Sequence, residues 1–182
     1  MTLKTLFKAL FLFLVLVVGL IAGLSIGIKT YPNEVFEKTA NGSYQSMNGW
    51  AKWLHLRKVV GADYREIVRP NQDTIYSSAF VDLSEGPYLL RIPPIDGYYS
   101  FTVYGDNTDV IGSVTSRTHG TGKPQSLLIA SPSESLDASD IQTLRTSSDK
   151  VWILGRFWIE KDSDYPVFHQ IQDALDLAPY SQ

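Results

Sequence analysis

The segment Val68-Arg69-Pro70-Asn71-Gln72-Asp73-Thr74-Ile75-Tyr76-Ser77-Ser78 places a cation, an amide, a carboxylate and a phenol within a few residues of one another. Such a set can do two kinds of work. At the rim of a cavity, Arg69 would bind an anionic or carbonyl group and Asp73 would take a proton as general base. Closing a turn instead, Asn71 and Asp73 would form an Asx-type turn after Pro70, Arg69 would pair with Asp73, and Tyr76 would bond the backbone as a corner residue. Polar turns are common, and no nucleophile or metal cluster accompanies this one, so the structural account is favoured and no catalytic residue is assigned.

Other strings tempt a chemical reading and fail on context. Gly23-Leu24-Ser25-Ile26-Gly27 matches the G-x-S-x-G nucleophile elbow, but it lies inside an apolar run where no serine is presented to water. Gly120-Thr121-Gly122-Lys123 lacks the Ser or Thr that a Walker motif needs after the lysine, because Pro124 stands there; a glycine-rich hairpin turn is expected. The acidic stretches Asp106 to Asp109 and Glu160 to Asp164 lack the glycine and glutamate of a calcium loop and are expected to form turns and helix caps. His55, His119 and His169 are isolated from one another, and there is no cysteine. No disulfide, thiolate zinc site or thiol nucleophile is therefore available, and no metal or cofactor is proposed.

The elements that position these residues fall into two parts. Hydrophobic residues make up 20 of the first 28 positions but 39% of the remaining 154. Between Lys8 and Lys29, residues Ala9 to Ile28 carry no charge. At 1.5 Å per residue a helix of that length spans a hydrocarbon core about 30 Å thick. The apolar stretch exceeds the roughly 7–15 residues of a signal-peptide core, which favours an uncleaved anchor. Lys4 and Lys8 favour a cytoplasmic tail over residues 1–8, with the large domain across the membrane. Gly19, Gly23 and Gly27 recur every fourth residue and share one helix face, the small-xxx-small pattern of membrane helix packing. Beyond residue 28 the net charge is −5 without a basic block, which argues against nucleic acid.

Tyr31-Pro32-Asn33 is expected to break the membrane helix, because proline lacks an amide hydrogen and disfavours helix at the preceding residue. Residues 29–60 read as a juxtamembrane helical segment, with an amphipathic helix from Gln45 to Lys58 carrying Met47, Trp50, Trp53 and Leu54 on one stripe. The tryptophans are expected to pack on the domain. From residue 61 to 182 a β-domain follows. Its candidate strands are Thr74 to Leu83, Tyr88 to Ile92, Tyr98 to Tyr104, Val110 to Val114, Leu127 to Ala130, Ile141 to Arg145 and Val151 to Glu160. Seven strands with no helices between them predict a mainly β fold, an antiparallel sandwich. One helix, from Asp164 to Leu177, is expected after the sheet, capped by Ser163 or Asp164 with Pro166 in its first turn.

The run from Arg69 to Ser78, then Val81-Asp82-Leu83, Gly97-Tyr98-Tyr99-Ser100, Arg117-Thr118 with Gly120-Thr121-Gly122, and Val151 to Arg156 together resemble the family catalogued as domain of unknown function 1254. The resemblance extends from about Trp50 to Pro179. It implies a jelly-roll-like β-domain found in envelope-associated bacterial proteins. In longer members a second β-rich domain follows; in short membrane-anchored ones it is often a separate protein. This chain is expected to be a short member of that kind. Arg69, Asn71, Asp73, Thr74, Tyr76 and Arg156 match motif positions, and the resemblance assigns them no role.

The favoured function is a single-pass inner-membrane protein of the bacterial envelope, its domain in the periplasm, binding or assembling with another membrane protein, one candidate being a protein that carries the second domain. The alternative is an envelope hydrolase or carbohydrate-active enzyme with a site near Arg69, Asp73 and Tyr76.

Overall fold

The computed structural model describes residues 2–47, 49–61, 63–64, 71–134 and 140–181. Its elements are helix α1 (Leu3–Met47), strands β1 (Leu54–Leu56), β2 (Thr74–Asp82), β3 (Tyr88–Ile92), β4 (Tyr99–Gly105) and β5 (Val110–Thr115), the short helix α2 (Ser116–His119), strands β6 (Gln125–Ala130), β7 (Thr143–Arg145) and β8 (Lys150–Trp158), a 3-10 turn (Asp162–Asp164), helix α3 (Tyr165–Asp173) and strand β9 (Asp176–Pro179).

Two sheets face one another. One has the order β1-β2-β8-β4-β5 and the other β7-β6-β3-β9. Six of the seven strand pairs are antiparallel, as expected of the sandwich; β6 and β7 run parallel. Alternation along the strands sets the core. Ile75 and Val81 of β2, Phe101 and Val103 of β4, and Ile153 and Phe157 of β8 point inward from the first sheet and meet Leu90, Ile92, Leu127 and Ile129 from the second. Gly155 belongs to this packing, because a Cβ there would lie 2.8 Å from the Phe101 ring. Both Trp50 and Trp53 pack on the domain as expected, Trp50 beside Phe80 and Trp53 with its ring centroid 6.4 Å from that of Phe101.

Four expectations need correction. Helix α1 does not break at Pro32 but continues to Met47. Proline removes one helical hydrogen bond and crowds the preceding turn, yet the segment beyond it is gripped: Phe36 and Ala40 are buried against Phe80, and Glu37 accepts a 2.8 Å ion pair from Lys150. The helix over Gln45 to Lys58 is replaced by a bend with Gly49 at φ 139° and Ala51 at φ 54°, followed by β1. Four apolar residues at helical spacing could not be distinguished from a short strand, and pairing with β2 decides the matter. The glycines at 120 and 122 do not close a hairpin, since β5 and β6 lie in different sheets and this segment crosses between them. Finally, α3 ends at Asp173 rather than Leu177, and the chain returns as β9 along β3. Asp164 precedes α3 but accepts from the backbone N–H groups of Glu160 and Lys161 instead of capping the helix; Pro166 lies in the first turn as expected.

Candidate functional site

On β2, Tyr76 and Phe80 point away from the core and are nevertheless buried, at 5% and 4% exposure. A strand buried on both faces has something lying on each side of the sheet. Part of that cover is α1. The Phe36 ring meets Phe80 edge-on at 5.5 Å, Phe80 stacks on Trp152 at 6.0 Å, and Trp152 stacks on Tyr104 at 4.9 Å. The Trp152 indole N–H donates to Ser78 Oγ at 2.7 Å, fixing the ring across the two strands.

Beside this aromatic row, helix and sheet leave a half-open groove of about 290 Å³. Val35, Phe36 and Thr39 of α1 form one wall, and Leu54 and Leu56 of β1 another. Its floor is Tyr76, Ser78 and Phe80 of β2 with Trp152 and Leu154 of β8, and Tyr64 and Thr108 complete the lining. The surface is mostly hydrocarbon and aromatic, with few polar atoms, as ligand pockets usually are.

The motif residues divide around this groove. Tyr76 lines it, and its phenol oxygen accepts the Asn71 backbone N–H at 3.0 Å, the corner role expected from the sequence. The Thr74 hydroxyl donates to Asp73 Oδ1 at 2.9 Å and lies 3.5 Å from the Asn71 side-chain amide that donates to it. Asp73 is exposed and outside the groove lining. Arg69, and so its expected pairing with Asp73, lies outside the described residues. Arg156 is brought to Tyr76 by strand register, as its direct partner across β2 and β8. Its guanidinium donates to the Tyr104 phenol at 3.5 Å, and among the described residues no carboxylate forms an ion pair with it.

A second cluster went unseen in the sequence. His55 Nδ1 lies 2.8 Å from Ser77 Oγ. Gln172 Nε2 donates to the same hydroxyl at 3.1 Å and to the Tyr76 carbonyl at 3.0 Å. Arg57 donates to the His169 carbonyl and to Gln172 Oε1 and pairs with Asp173, while His169 Nε2 donates to the Arg57 carbonyl at 2.6 Å. Since Gln172 donates to Ser77, the serine proton is available for His55 Nδ1, which leaves the neutral ring protonated on Nε2. Burial, reinforced by the Arg57 cation and opposed by Asp173, lowers the His55 pKa to about 4. A serine bonded to a histidine has the form of a nucleophile and its base. Ser77 is 0% exposed, however, so no substrate reaches it, and the cluster is a clamp that fastens α3 to β1 and β2. No local pattern in the sequence carries the signal, because His55 and Ser77 stand 22 positions apart and Gln172 lies a further 95 beyond Ser77.

Among the described residues, no three His, Asp or Glu side chains converge to hold a metal ion. Along α1, no described residue from elsewhere in the chain comes within 4 Å of a Cβ added at Gly19, Gly23 or Gly27, so this face is open among the described residues.

A two-sheet β-sandwich following one long apolar helix, with a motif-lined groove where helix and sheet meet, defines the class of protein. The chain belongs to the family described as protein of unknown function DUF1254, whose pattern matches residues 51–179. Among solved structures it is similar to the VPA0106 protein from Vibrio parahaemolyticus, with 19% identity and a TM-score of 0.66 over 84% of this chain and 36% of that one. At that identity the likeness is one of fold, and the chain spans little more than a third of that protein's length. An uncharacterized protein from Burkholderia cenocepacia aligns at 15% identity and a TM-score of 0.45, over 72% of this chain and 37% of that one. No curated protein matches the chain.

Proposed function

We propose that α1 holds this protein in the bacterial inner membrane as a single span, and that the domain it carries is a non-catalytic binding module on the periplasmic side. The observation that carries the reading is that one helix contains both parts. Ala9 to Ile28 are uncharged and, apart from half-buried Val17, exposed, and the same helix then lays Phe36 and Ala40 onto the sandwich and forms a wall of the groove. What favours binding over hydrolysis is the position of Asp73: the carboxylate offered as a base is exposed, bonded by Thr74 and outside the groove. A partner membrane protein would approach along the open Gly19, Gly23 and Gly27 face, where small residues let backbones come close.

The test is to fuse to Gln182 a fluorescent protein that matures only in the cytoplasm, and to extract the membranes with alkaline carbonate. A dark fusion retained in the membrane pellet is expected. Bright fluorescence would overturn the periplasmic placement, and release by carbonate would overturn the anchor.

A further inference from the structure

We infer that the groove between α1 and the first sheet binds an anionic amphiphile, its hydrocarbon chain against the groove lining and its carboxylate or phosphate on Arg156. The inference rests on the reading of α1 as a membrane span and names the ligand of that same site.

Three observations converge. The first is the lining. Val35, Phe36, Leu54, Phe80 and Leu154 offer an apolar slot that is half-enclosed, suited to a chain rather than to a flat polar ring. The second is a cation at its border. Tyr76, the register partner of Arg156, and Leu154, two residues before it on the same face, both line the groove. The guanidinium reaches Tyr104, whose ring stacks on Trp152, another lining residue. A guanidinium presents five donors, and among the described residues this one donates to a single phenol and has no ion-pair partner. Ser100, beside Arg156 on β4, is 5% exposed, and its hydroxyl has no hydrogen-bond partner among the described residues, so the neighbourhood of the cation holds a further unused donor.

The third observation is distance. Val35 and Thr39 lie seven and eleven residues beyond Ile28, which along a helix is roughly 10–17 Å from the end of the apolar run. The headgroup layer on each side of the hydrocarbon core is about 5–8 Å deep. In a bilayer the groove would therefore sit just above the headgroups, within reach of a lipid chain drawn part-way out. Charge complementarity selects the head: a planar, delocalised cation matches carboxylate and phosphate oxygens in pairs, and it gives no such advantage to a zwitterion's ammonium or to an uncharged ester.

The experiment uses the full-length protein in nonionic detergent, so that binding is read whether or not α1 spans a membrane in the cell. Cis-parinaric acid and its methyl ester are titrated by fluorescence. In a second arm, the protein in nanodiscs of phosphatidylcholine is challenged with a trace of labelled phosphatidylglycerol. Saturable binding of the free acid is expected, with Arg156→Gln weakening it roughly tenfold or more, as losing a charge-assisted hydrogen bond does. Arg156→Lys should retain part of it, and the methyl ester should be insensitive to either change. Leu54→Trp, which fills the slot from an exposed edge strand and spares the core, should weaken acid and ester alike. Binding in the nanodisc arm identifies a membrane lipid as the source, and binding of the acid alone identifies a free fatty acid. Absence of saturable binding in both arms, or equal binding by wild type and the folded Arg156→Gln and Leu54→Trp variants, overturns the inference. The carbonate and fusion results would stand unaffected.

Discussion

In the fold His55 is half-buried, bonded to Ser77 and close to the Arg57 cation, whereas once unfolded it has free access to protons, and this difference makes it a pH-dependent element of stability. Its pKa falls from 6.5 to about 4 on folding, so between those values the unfolded chain binds the extra proton and the native state does not. Stability therefore rises with pH across that window and falls on acidification from pH 6.5 toward 4. Denaturant titrations at half-unit steps should show this slope, and His55→Gln should flatten it while leaving the response above pH 7 unchanged. An unchanged slope in the variant would place the proton uptake elsewhere. At this scale the sequence revealed Tyr76 and Arg156 as motif positions and even the bond from Tyr76 to backbone, because a polar turn ahead of a strand is a local pattern. It could not reveal the groove, whose walls come from α1, β1, β2 and β8. Nor could it reveal the clamp at Ser77, which depends on contacts between residues 55–57 and 169–173.

Among the elements, β2, β3, β4, β5 and β8 were legible because each is a β-branched or aromatic run bounded by Gly, Pro or Asp. The strands β1 and β9, of three and four residues, exist only as partners of β2 and β3 and carry too little pattern to be read alone. Helix α1 was misjudged at Pro32 for a related reason. Propensity favours a stop there, and tertiary contacts downstream prevail over it. If packing of Phe36 is what holds the second part of α1, then Phe36→Ala should raise amide exchange over Glu34 to Ala40 roughly tenfold or more, while β2 and β8 amides remain as protected as before. Equal protection in the variant would mean that the helix holds itself across the proline.

At the scale of the whole molecule, the groove and the glycine stripe along the apolar part of α1 are both open among the described residues. The stripe suits the close approach of another helix, since glycine lets two backbones approach where a leucine would hold them apart. In a membrane two-hybrid assay, Gly23→Leu should reduce association of the full chain with the membrane partner proposed above or with a second copy, and Leu24→Ala, on a neighbouring face, should not. Loss in neither variant would confine partner contacts to the sandwich.

The unbroken run of α1 from Leu3 to Met47 has a mechanical meaning as well. A domain on a flexible tether samples every orientation above a bilayer, whereas a domain bolted to a rod inherits the rod's angle. Transmembrane helices tilt further as the bilayer thins. If α1 spans the membrane as proposed, such a tilt would swing the mouth of the groove relative to the lipid surface, and membrane thickness would then set how readily the site meets the headgroups.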